Sequence, residues 1–146
     1  MLKLIFILPI FIFGQIENQV RDKSPGFFKN QRLHHSPPKP LFKGRSHNLD
    51  FLTNIPQDSV LSSNLFFKTD LMDYYHEISL TGKAGLYTFI YKPDEYPGNR
   101  LQYYFTINTK KKLFGTPIND RGELHPIDKL LIDPKEYFQQ RRRLNK

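Results

Sequence analysis

The 146-residue chain contains no cysteine and no tryptophan. Without cysteine there are no disulfides, no thiolate metal ligands and no cysteine nucleophile. Long apolar runs are absent too. The longest, from Leu4 to Phe13, holds Pro9 and falls short of the roughly 20 residues that span a bilayer. No Gly-x-Ser-x-Gly, His-Glu-x-x-His or glycine-rich phosphate loop occurs. Ser62-Ser63 and Asp94-Glu95 sit in turn-like segments with no partner base, so the residues point away from an enzyme and imply no cofactor. At 25% charged and 38% hydrophobic, the chain is neither a multi-span membrane protein nor wholly disordered.

What is present first reads as an export signal. Lys3 precedes the apolar run, Gly14 ends it, and Gln15-Ile-Glu-Asn18 is polar. That order predicts a signal peptide over 1–14, cleaved after Gly14. Ile12 stands at the −3 position, where a small residue is commoner. The expected location is secreted or periplasmic. No cysteine follows for a lipid anchor, and no transmembrane anchor remains after cleavage.

Aromatics are abundant, with 13 Phe and 8 Tyr, and they supply much core area per side chain. The net charge of +8 is unevenly placed. Residues 15–46 carry seven Lys/Arg against two acids, and residues 108–146 carry ten against five. Residues 47–107 carry four against seven. The basic excess therefore flanks a mildly acidic middle. Residues 15–46, with Ser24-Pro-Gly26 and His34-His-Ser-Pro-Pro-Lys-Pro40, read as an extended Pro-rich basic arm. His34 and His35 read there as solvated linker residues.

The middle is β-patterned. Short aromatic and β-branched segments lie at 47–52, 64–69, 74–80, 85–91, 100–108 and 112–115, separated by Gly, Pro, Asn and Asp. A spacing near 10 residues indicates a meander or sandwich. In 100–108, Leu101, Tyr103, Phe105 and Ile107 alternate with polar residues and are expected to face the core. The strand at 86–91 is apolar on both faces and is expected to be covered. His76 and Glu77 are neighbours on a strand and so point to opposite faces. Asp70 and Asp73 flank a hairpin connection, with too few oxygens for calcium.

The succession Leu65-Phe-Phe-Lys68, Tyr75-His-Glu-Ile-Ser-Leu80, Gly85-Leu-Tyr-Thr-Phe-Ile-Tyr91, Tyr96-Pro-Gly-Asn-Arg-Leu-Gln-Tyr-Tyr-Phe-Thr-Ile107 and Leu113-Phe-Gly-Thr-Pro117 resembles an immunoglobulin-like or fibronectin-type-III-like β-sandwich. Such modules are common in exported bacterial proteins. The resemblance covers about 47–118 and implies an all-β sandwich domain there, used as a spacer or binding module with no shared catalytic residues. The missing Cys and Trp depart from disulfide-bearing immunoglobulin domains. A sandwich of about 70 residues is small for its core, so the flanks are expected to help stabilise it.

In the tail, 119–146, Asn119-Asp-Arg-Gly122 reads as a turn and Ile127-Asp-Lys-Leu-Leu-Ile132 as a docking segment. Asp133-Pro-Lys-Glu136 predicts a capped helix from Pro134 to Leu144. Arg141, Arg142 and Arg143 fall near its C-terminus, where they complement the helix dipole. These arginines and Lys110, Lys111 and Lys112 are candidate contacts for an anionic polymer. Tyr87, Tyr91 and Tyr104 are candidate stacking platforms for a glycan. An exported chain is not expected to meet nucleic acid. The reading that unites these features is a non-enzymatic exported accessory or protein-interaction module, whose flanks contact a secreted or envelope protein. A carbohydrate-binding module and an anionic-polymer binder are the alternatives.

Overall fold

A computed structural model of the chain describes residues 32–145. The signal-peptide expectation for 1–14 and the first half of the arm lie outside the described residues. The described chain is mostly β, with two sheets and one short C-terminal helix. Its strands are β1 (Leu33–His34), β2 (Leu41–Phe42), β3 (His47–Thr53), β4 (Val60–Thr69), β5 (His76–Ser79), β6 (Leu86–Tyr91), β7 (Arg100–Thr109), β8 (Leu113–Thr116) and β9 (Ile127–Ile132). The helix α1 spans Pro134–Leu144.

The first sheet has the order β1-β3-β6. The second runs β2-β9-β7-β4-β5, with β8 also on β7. Every pairing is antiparallel except β2 with β9. Strand β7 organises the second sheet. One edge pairs with β4, and the other is shared by β9 at 100–103 and β8 at 105–108. Its alternation sets the register: Leu101, Tyr103, Phe105 and Ile107 are all 0% exposed. A one-residue slip would turn all four to solvent. In β4, Ser63, Leu65, Phe67 and Thr69 are buried alongside them.

Rings from the two sheets meet between them. Phe51 of β3 lies 4.9 Å from Phe105 of β7 by ring centroids. Phe67 of β4 lies 5.6 Å from Phe89 and 6.2 Å from Tyr91, both on β6. Leu33, Leu41, Leu49, Ile55, Tyr87 and Leu131 complete the buried apolar set.

Two expectations need correction. The strands are not confined to 47–118, because β1, β2 and β9 all lie outside that range and join the sheets. Part of the arm is thus structural. Its prolines, Pro37, Pro38 and Pro40, cannot donate to a ladder, and they carry the chain from the first sheet to the second. Nor is 86–91 a covered strand. It ends the first sheet's order; Tyr87 and Tyr91 enter the core while Leu86 and Ile90 remain 43% and 53% exposed.

The helix matches its expected span. Asp133 caps it by accepting from the Lys135 amide at 2.7 Å. Tyr137 and Phe138 pack on Phe42 of β2, at 5.3 and 5.9 Å between centroids. The tail helix therefore rests on the arm.

Candidate binding surfaces

The outward positions of the second sheet form an aromatic ledge. Register pairs Phe66 of β4 with Tyr104 of β7, and their rings stack at 4.9 Å and 11°. Tyr75 meets Tyr104 edge-on at 5.3 Å. The Lys68 ammonium sits 5.2 Å above the Tyr75 ring, a cation–π placement. Around the ledge, Asn64 donates to Glu77 at 2.8 Å. Asp128 accepts from Gln102 at 2.9 Å and pairs with Arg100 at 2.8 Å. Partial burial pushes the Tyr75 and Tyr104 phenols above their ordinary value, so both stay neutral hydroxyl donors at physiological pH.

Of the three tyrosines expected to stack on a ligand, only Tyr104 is on this surface. Tyr87 and Tyr91 are 1% and 0% exposed, which removes them as platforms. Their hydroxyls are spent inside the molecule. Tyr87 donates to Gln57 at 3.2 Å, and Tyr91 donates to the Tyr96 carbonyl at 2.9 Å. Burial pushes the Tyr91 phenol up to about 12. The sequence pattern could not assign their direction, because every position of 86–91 except Thr88 is apolar.

The two basic clusters lie apart. Lys110, Lys111 and Lys112 form the turn between β7 and β8, where the Thr109 hydroxyl oxygen accepts from the amides of Lys111 and Lys112. This turn faces the 54–59 loop across a cleft of about 490 Å³. Arg141, Arg142 and Arg143 are exposed on α1, which follows β9 near the opposite end of β7. One polyanion contact patch combining both clusters is therefore not what the fold presents.

His35 is the residue that sequence reading missed. It is half-buried rather than solvated. Its Nδ1 bonds the Asp50 carbonyl, and its Nε2 lies 2.8 Å from the Tyr103 hydroxyl. The Tyr103 and Phe105 rings flank it at 5.4 and 5.0 Å. Burial lowers the imidazole's pKa from 6.5, against a smaller opposing pull from the Asp50 carbonyl. Neutral His35 donates from Nδ1 and accepts the tyrosine proton at Nε2, so one tautomer satisfies both bonds. No local period announces a residue that follows a two-residue strand.

Asp70 has a structural task. Its Oδ1 accepts from the Asn99 and Arg100 amides at 2.7 and 3.2 Å. The Asn99 bond is the main reason its pKa is lowered. Among the described residues no group of three His, Cys, Asp or Glu could hold a metal ion. Among them, no helix is long and apolar enough to cross a membrane. No family model matches the chain, and no curated protein matches it.

Proposed function

We propose that the chain is a non-enzymatic, exported interaction module with an immunoglobulin-like sandwich, and that it holds a protein partner on the aromatic ledge of its second sheet. The fold reading is supported by strand order. Lettering β1 and β2 as A and A′, β3 as B, β4 as C, β5 as C′, β6 as E, β7 as F, and β8 with β9 as G gives A-B-E against A′-G-F-C-C′. That is the order of an immunoglobulin-like domain without strand D. Phe51 and Phe105 bridge strands B and F, which antibody domains join by a disulfide. Export rests on the first 14 residues.

The observation that carries the function is the Phe66–Tyr104–Tyr75 cluster, ringed by Lys68, Glu77, Arg100 and Asp128. Protein interfaces favour this composition, with aromatics at the centre and a polar rim. With β1, β2 and β9 engaged in the sheets, the flanks have less free length for a partner than a simple arm-and-tail arrangement supplies.

A photo-crosslinking residue at position 104 tests the reading in the native compartment. It should trap a discrete second protein, and the same residue at Asn48, outward on the first sheet, should not. Equal trapping at both positions overturns the assignment of this face. A glycan reading keeps only Tyr104 of its three tyrosines. It requires salt-insensitive binding to a polysaccharide that is lost in Tyr104→Ala.

A further inference from the structure

The cleft between the 54–59 loop and the β7–β8 turn has two unlike sides. Its floor is apolar, made by Ile55, Pro56 and Phe114. Ile55 is 9% exposed and belongs to the buried core, and Phe114 packs against that core, so the floor is rigid. One wall is the Lys110–Lys112 turn. The turn is fixed from within, because the Thr109 hydroxyl donates to the Lys112 carbonyl at 2.9 Å while its oxygen accepts two amides. Across the cleft stand one acid, Asp58, and one base, Arg32, whose Nη1 donates to Asn54 Oδ1 at 3.4 Å.

Among the described residues no acid pairs with the lysines of this wall. The ion pairs among the described residues join Lys92 to Glu95 and Arg100 to Asp128. Asp58 instead accepts from Ser59 at 3.3 Å. Lys112 holds its ammonium 4.7 Å above the Phe114 ring, at the border between cationic wall and apolar floor. A cleft of 490 Å³ falls in the size range of small-molecule sites, roughly 300–1,000 Å³.

We propose that this cleft binds a small amphipathic anion, a carboxylate or phosphate carried on an aromatic or acyl body. The acid group sits against Lys110, Lys111 and Lys112. The apolar body lies on Ile55, Pro56 and Phe114. This differs from a polyanion site, which would need a basic stripe long enough to follow a polymer. It is also separate from the partner ledge, which uses the outward face of β4 and β7.

The test titrates the full processed chain with naphthalene-2-sulfonate and decanoate while backbone amide shifts are followed. Naphthalene-2-methanol, inorganic phosphate and heparin serve as comparisons. Saturable binding of the two amphipathic anions is expected, with shifts confined to residues 32, 55–59 and 109–114. The neutral naphthalene and free phosphate should each bind at least about tenfold more weakly, a difference of about 1.4 kcal/mol. The double variant Lys110→Glu with Lys111→Glu alters exposed residues only, and it should weaken the anions at least about tenfold. An unchanged sheet spectrum shows that this variant is folded. The proposal is overturned if phosphate binds as tightly as the amphipathic anions, if only heparin binds, if the shifts map elsewhere, or if the charge reversal has no effect.

Discussion

Phe51 of β3 and Phe105 of β7 hold their ring centroids 4.9 Å apart between the two sheets. Phe51 also stacks on Tyr87 at 4.9 Å and 3°, so one ring joins a pair within its own sheet to a partner in the other. In a chain without disulfides, this contact does the joining that a covalent bridge would do. Phe105→Ala should cost about 3–5 kcal/mol in urea unfolding. Phe51→Ala should cost a similar amount. The double variant should lose less than the two losses added, by about 0.5–1.5 kcal/mol. Strict additivity would show that the rings do not couple.

Burial of His35 makes stability depend on pH. The folded state holds His35 with its pKa below the ordinary 6.5, so below that pH the unfolded chain binds more protons. Stability is complete above 6.5 and declines as pH falls toward the folded pKa. Urea midpoints followed between about pH 5 and pH 8 should show this slope, and His35→Gln should flatten it. Tyr103→Phe removes the hydroxyl that His35 accepts from, and should cost about 1–3 kcal/mol at neutral pH.

These residues show how far the sequence could be read. The alternation of 100–108 named its four core residues correctly, because polar residues separate them and only one register buries them all. The helix was legible from its cap, since Asp133-Pro134 fixes both the first bond and the first helical φ. β9 was not legible as a strand, because Ile127-Asp-Lys-Leu-Leu-Ile132 alternates poorly and pairs with residues far away in the chain. β1 and β2 are two residues each, too short to carry a period. The ledge was readable only in part. Tyr104 could be placed outward from the pattern, but its contacts with Phe66 and Tyr75 depend on cross-strand register.

Gly85 separates two effects that usually act together. Its φ is +80°, and an added Cβ would lie 2.6 Å from the Thr53 carbonyl oxygen. Gly44 has φ +66° with nothing within 4 Å. Gly44→Ala should cost about 1–2 kcal/mol from backbone conformation alone. Gly85→Ala should cost clearly more, and thermal melts of the two variants compare them directly. Equal losses would mean that the β3–β6 contact yields without cost.

Asp133→Ala removes the cap on α1 and should cost about 0.5–2 kcal/mol. Amide exchange should quicken across 134–144 while β7 stays protected. If the β7 amides quicken equally, the helix and the sheets unfold as one unit.

The parallel pairing of β2 with β9 sets how the molecule bears a pull. Leu41 and Phe42 lie beside Leu131 and Ile132, and the Lys43 amide adds a bond to the Ile132 carbonyl at 3.0 Å. With β1 released from β3, tension through the two termini would draw these strands past each other lengthwise. Their hydrogen bonds are then loaded in shear, all at once, rather than peeled open singly. A body tethered at both extremities would bring this short clasp under load once β1 had parted from β3.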